Sequence, residues 1–210
     1  MASKSLTYPT QQQKYGVKLQ LICEKAEECE REMFHKHFSR DPATLFNQLN
    51  EPANRRILND LKKKRVLKED QYLLLFPSSG LTDSSKFDMT LLSLLVRSIC
   101  GYQEPTTGWN KDPDDADESD IADSIRFTLS RNRIKHHPLS TPRDKFKDSY
   151  NYLEKALLRR RCTQGELNNI DPSLNYCIRQ NPSTLGHIQY KRDHSLVGRL
   201  LEERKSSLHL

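Results

Sequence analysis

The chain is poor in glycine, with seven in 210 residues, and poor in aromatic side chains, at 8%. Val and Thr nowhere alternate with polar residues in strand-like runs, so there is little to build a sheet from and an all-α fold is expected. Long apolar runs are missing too. The longest, Met89 to Val96, is too short to span a bilayer, and Met1-Ala2-Ser3-Lys4-Ser5 leads into polar sequence rather than an apolar signal core. The five cysteines (Cys23, Cys29, Cys100, Cys162, Cys177) form no CxxC pair, and their odd number suits free thiols in a reducing compartment. The chain is therefore expected to be cytoplasmic and free of membrane contact. Zinc held by Cys162, Cys177, His187 and His194 would need gaps that match no compact finger. The Gly80-containing loop from Ser78 to Ser85 lacks the glycine spacing and the lysine of a phosphate-cradling loop, so neither metal nor cofactor is expected.

What the chain has is charge, in blocks. Charged residues make up 30% and the formal net charge is +6. Arg55, Arg56, Lys62, Lys63, Lys64, Arg65 and Lys68 form a basic block, and Asp112, Asp114, Asp115, Asp117, Glu118, Asp120 and Asp123 an acidic one. Two readings are open: solvated faces that match each other in the folded state, or a phosphate-binding surface on the basic block, centred on Lys62, Lys63, Lys64 and Arg65.

The hydrophobic periodicity is helical throughout. Leu19, Ile22, Ala26, Cys29 and Met33 mark one long stripe between Tyr15 and Phe38, ending at His35 and His37, which lie on different faces and read as helix-end residues. Asp41-Pro42 is an N-cap followed by a first-turn proline. Phe87 to Gly101 is apolar on nearly every side, opens near Asp88, and ends at a glycine suited to the left-handed cap position; it is the expected central helix. Ile121, Ala122, Ile125 and Leu129 form the stripe of a further helix, with acidic residues in its first turn and Arg126, Arg131 and Arg133 toward its end. Pro138 disfavours helical backbone at His137, so that helix should unwind at about His136 or His137. Thr141-Pro142-Arg143-Asp144 reads as the start of the next one, with Thr141 as N-cap.

This break is where chemistry has a place. On a straight helix Arg131 and His137 would point about 240° apart and Arg131 and His136 about 140° apart, so either pair converges only if the helix unwinds. Arg131, Asn132 and His137, with His136 as the alternative base, could then cleave RNA without a metal. Histidine would take the 2′-hydroxyl proton, and arginine would steady charge on the phosphoryl oxygens. The same residues would serve equally to end one helix and start another.

Several stretches resemble the HEPN (higher eukaryote and prokaryote nucleotide-binding) domain of the DAZ-interacting zinc-finger ubiquitin ligase type. They are Leu61-Lys62-Lys63-Lys64-Arg65-Val66-Leu67 leading to Leu75-Phe76-Pro77, Phe87-Asp88-Met89-Thr90-Leu91-Leu92, Thr107-Gly108-Trp109, and Asp120-Ile121-Ala122 leading to Arg131-Asn132 and a histidine. The resemblance covers roughly Tyr15 to Arg160. It implies a helical bundle that dimerises, with an Arg-His site at the two-fold interface onto which Arg131, Asn132 and His137 map, or His136 at a looser spacing. It also implies adaptor roles in innate-immune or regulatory assemblies. No RING-like segment occurs in these residues, so ligase activity is not carried over.

The expected organisation is a disordered lead-in (1–13), a HEPN-like bundle (14–160), and a weakly ordered extension (161–210) with a short amphipathic helix near 195–205 for a protein partner. The expected function is interaction and homodimerisation, with RNA at the basic block; the alternative is a metal-independent endoribonuclease.

Overall fold

The computed structural model describes residues 10–135 and 141–170. Within them the chain forms eight α-helices and no strand: α1 (Gln11–Phe34), α2 (Pro42–Asn50), α3 (Pro52–Lys63), α4 (Glu69–Leu75), α5 (Met89–Ile99), α6 (Asp120–Lys135), α7 (Arg143–Arg159) and α8 (Gln164–Asn168).

The first helix starts earlier than its apolar stripe. Thr10 and Gln13 form a reciprocal capping box, Gln13 N–H donating to the Thr10 hydroxyl at 3.3 Å and Thr10 N–H to the Gln13 amide oxygen at 2.7 Å. Residues 11–13, expected in the lead-in, are thus helical. With 24 residues α1 is about 36 Å long, enough to lie against α5, α6 and α7 in turn. It, rather than the 11-residue α5, is the central helix, and this corrects the reading from apolar content alone. α5 does bury Met89, Leu91, Leu92, Leu94, Leu95 and Val96, but its Thr90 is exposed.

The core has two parts and α1 runs through both. Met33 and Phe34 join Leu45 and Leu49 of α2, Leu58 of α3, Leu75 of α4 and the α5 leucines. Leu19, Ile22 and Ala26 pack instead with Phe127 and Ile134 of α6, Tyr150, Leu153 and Leu157 of α7, and Leu167 of α8.

Caps explain most boundaries. Asp41 and Asp88 accept from Thr44 N–H and Leu91 N–H at 2.8 and 2.9 Å, as their positions before α2 and α5 suggest. α3 and α7 both end in Schellman turns whose left-handed residue is an arginine instead of the usual glycine. Arg65 has φ 58° and Arg161 φ 70°, with Val66 N–H bonded to Leu61 O and Cys162 N–H to Leu157 O, each at 3.0 Å. Thr141 does not cap α7, which begins at Arg143 with Pro142 at its N-cap. Its N–H donates instead to Gln12 O at 3.1 Å, tying the start of α7 to the start of α1. Beyond Arg161, taken from its sequence as irregular, the chain makes one more capped turn. Thr163 and Glu166 box the start of α8, and Leu167 is fully buried. The expected helix near 195–205, with Cys177, His187 and His194, lies outside the described residues.

Candidate functional site

Arg131 and Asn132 occupy the last turn of α6, whose buried face carries Ala122, Ile125, Phe127 and Ile134. Asn132 is exposed and Arg131 half-buried. One Arg131 nitrogen donates to the Asn132 side-chain oxygen at 3.3 Å, and another lies 3.5 Å from Oδ2 of Asp88. Asp88 thus serves twice, one oxygen capping α5 and the other facing the arginine. The guanidinium sits where α5 and α6 approach α1. It lies near enough to Cys23 to oppose the rise that burial imposes on that thiol, which is still pushed up to about 12. His136 and His137, the proposed bases, lie outside the described residues, so Arg131 and Asn132 are brought together here without a described histidine.

A cleft of about 240 Å³ opens on the other side of the same turn, lined by Ser130, Arg133, Ile134, Asp148, Ser149 and Tyr152. Arg133 follows Arg131 by two residues, about 200° around the helix, so the cleft does not belong to the Arg131 surface. In it Arg133 pairs with Asp112, and Tyr152 donates its hydroxyl to Asp112 at 3.0 Å. Burial, then the bond to Asp112, push the Tyr152 phenol up to about 12, so it stays protonated near neutral pH.

The acidic block does find partners, but not in the basic block. Asp112 meets Arg133, Asp120 meets Lys36 at 2.6 Å, and Asp123 meets Arg126 and Arg159. The basic residues at the end of α3 stay at the surface with local partners only. Lys62 contacts Glu69 at 3.0 Å and lies 3.9 Å from the Tyr72 ring centre, while Arg55 lies 3.7 Å from the Phe76 ring centre. Lys63, Lys64 and Arg65 are exposed, and so are the apolar Ile57 of α3, Val66 of the turn and Leu73 of α4.

Glu30 and the Asp123–Arg126 pair are buried where the sequence suggests surface charge. Arg126, taken as a helix-end cation, is 3% exposed and clamped between Asp123 and the Asp114 carbonyl. Glu30 of α1 is fully buried. One oxygen accepts from Ser124 at 2.6 Å and the other has no hydrogen-bond partner. Spacing could have flagged both: Glu30 falls four residues after Ala26, on the apolar stripe, and Asp123 precedes Arg126 by three. The histidines that end α1 are helix-end residues as expected. His35 contacts Phe38 O and the Ser84 hydroxyl at 3.0 and 2.9 Å, and burial holds its pKa below the usual range. Among the described residues no three His, Cys, Asp or Glu side chains converge as metal ligands, and no helix is long and apolar enough to cross a membrane.

A family model described as DZIP3/hRUL138-like HEPN matches residues 42–180, about two thirds of the chain, beginning at α2. No curated protein and no solved structure gave a match.

Proposed function

The chain belongs to the DZIP3/hRUL138-like HEPN family, and we propose that it is a binding and assembly module of the cytoplasm, self-associating as a homodimer and contacting RNA through the end of α3. The observation that carries this reading is the surface at the α3–α4 turn. Lys63, Lys64 and Arg65 are exposed there, as are Val66 next to them and Ile57 and Leu73 on α3 and α4, while Asp112, Asp120 and Asp123 of the acidic block pair with other cations. Cations interleaved with apolar groups suit a partner that brings phosphate and flat, weakly polar surface together. An adaptor needs no more than such a face and a second copy.

The test is direct. Single-stranded RNA should bind the purified chain with an affinity that falls steeply with salt, and Lys63→Glu combined with Lys64→Glu should weaken it about tenfold or more and flatten the salt slope by about two. Light scattering should give twice the chain mass. A monomer at high concentration that ignores RNA would overturn the proposal.

The second reading, an endoribonuclease, draws on the contact between Arg131 and Asn132, which precedes His136 by four residues and His137 by five. His137, or His136, would accept the 2′-hydroxyl proton as the oxygen attacks the adjacent phosphorus. The 5′-oxygen would leave, giving a 2′,3′-cyclic phosphate. Arg131 would first have to exchange Asp88 for the phosphate, which is why binding is ranked ahead of cleavage.

A further inference from the structure

Cys29 lies in the second half of α1 and Cys162 just beyond α7, 133 residues later, yet their sulfurs are 4.0 Å apart. We propose that these two thiols are a redox-responsive pair that closes to an intramolecular disulfide in the presence of a small-molecule disulfide such as oxidised glutathione, fastening the α7–α8 turn onto α1.

Both partners are held in place from their own sides. Cys162 follows the left-handed Arg161 in the Schellman turn and leads straight into the Thr163 capping box, so its backbone has little freedom. Arg160, just before, donates to the Cys29 carbonyl at 3.4 Å and to the Asp120 carbonyl at 2.9 Å, which pins the turn against α1 and α6. Bond formation needs the sulfurs to close by about 2 Å from their 4.0 Å separation.

The pair is also reachable. Both thiols line an open cavity of about 350 Å³ whose four basic side chains, Lys25 and Arg161 among them, outnumber its three glutamates, a setting that favours an anionic reagent. Burial pushes the thiols up, Cys29 to about 12, so at rest both are protonated and slow to oxidise in air. The reaction balances without a metal. The Cys162 thiolate attacks one sulfur of glutathione disulfide and expels glutathione as thiolate, which takes up the proton. Cys29 then gives up its proton to solvent, its thiolate attacks the Cys162 sulfur of the mixed disulfide, and the second glutathione leaves as thiolate and takes up a proton in turn. Two protein thiols and one glutathione disulfide give one protein disulfide and two glutathione thiols.

The 210-residue chain should be incubated with graded ratios of oxidised to reduced glutathione at pH 8, then alkylated and mapped by mass spectrometry without reduction. The expected product is a single cross-linked peptide pair joining Cys29 to Cys162, with a melting temperature roughly 6–12 °C above that of the dithiothreitol-treated chain. Cys29→Ser and Cys162→Ser should each abolish cross-link and shift, and Cys23→Ser should leave both intact. A stable mixed disulfide at Cys162 without closure, or cross-links that favour Cys23, Cys100 or Cys177, would overturn the proposal. Because the map is read on the unmutated chain, a serine variant that fails to fold does not obscure the answer.

Discussion

Arg159 of α7 donates through Nε at 3.0 Å to Oδ2 of Asp123 on α6, and the carboxylate that receives it is fully buried. The other Asp123 oxygen takes Arg126 at 2.9 Å. One carboxylate therefore binds two guanidiniums and joins the start of α6 to the end of α7 across their packed faces. The geometry of the two helices flanking the candidate site thus rests on an ion cluster in the core.

Removing Asp123 would strand Arg126, whose side chain is 4% exposed, as a buried charge with no carboxylate. Asp123→Ala should destabilise the fold by about 3–5 kcal/mol, because breaking a buried pair from one side leaves the partner's desolvation uncompensated. Urea unfolding followed by circular dichroism measures this. A loss near that of an exposed pair, below about 1 kcal/mol, would show that water reaches Arg126.

Glu30 sets a pH dependence of the opposite sense to most carboxylates. Burial raises its pKa, outweighing the Ser124 hydrogen bond and the Arg160 charge. The native state then keeps the proton to higher pH than the unfolded chain. Its contribution is full below the ordinary carboxylate pKa and is lost as pH rises through the raised value. Glu30→Gln should remove that decline, so the variant gains on the natural chain as pH is taken from 4 to 8. Denaturation curves at several pH values give the difference directly; parallel profiles would refute it.

The left-handed arginines are sites where glycine should be an improvement. A side chain at positive φ costs roughly 1–2 kcal/mol, partly offset by glycine's greater freedom when unfolded. Arg65→Gly and Arg161→Gly should each stabilise by about 0.5–1 kcal/mol, a rise in melting temperature of roughly 1–4 °C. If Arg65→Gly also weakens RNA binding, the strained arginine is retained for its charge.

Asp88→Asn separates the two readings of Arg131. Asparagine caps helices as well as aspartate, so stability should stay within about 0.5 kcal/mol, while Arg131 loses its carboxylate. For a binding module no RNA cleavage appears with Arg131 freed; for a nuclease, cleavage in chelator should rise over the natural chain and vanish on adding His137→Ala.

The helices and their apolar faces could be read from the chain because they depend on neighbours three and four residues away. Leu19, Ile22, Ala26 and Met33 are all buried, Asp41 caps α2 as placed, and Gly101 has φ 75° just after α5. What could not be read depends on partners far along the chain. Glu30 is buried beside Ser124, 94 residues on, and Thr141 ties back to Gln12. Gln13 looked like part of a polar lead-in, since a capping role shows only once the helix behind it is known to start there. At the candidate site Arg131 and Asn132 could be named from their motif, but not Asp88, which arrives from a different helix.

The stretch shared with the family begins at Pro42, eight residues after α1 has ended at Phe34. A fragment trimmed to residues 42–180 would therefore lose the helix that fills the seam between α5, α6 and α7. It would bare Phe127, Leu153 and Leu157 to water and leave α5 and α6, which carry Asp88 and Arg131 at their ends, held to each other only by their own direct contacts, Thr128 to Ser93 at 3.1 Å among them. Such a fragment should precipitate or pair through the bared seam, and any dimer it formed would mimic self-association while reporting only the missing helix.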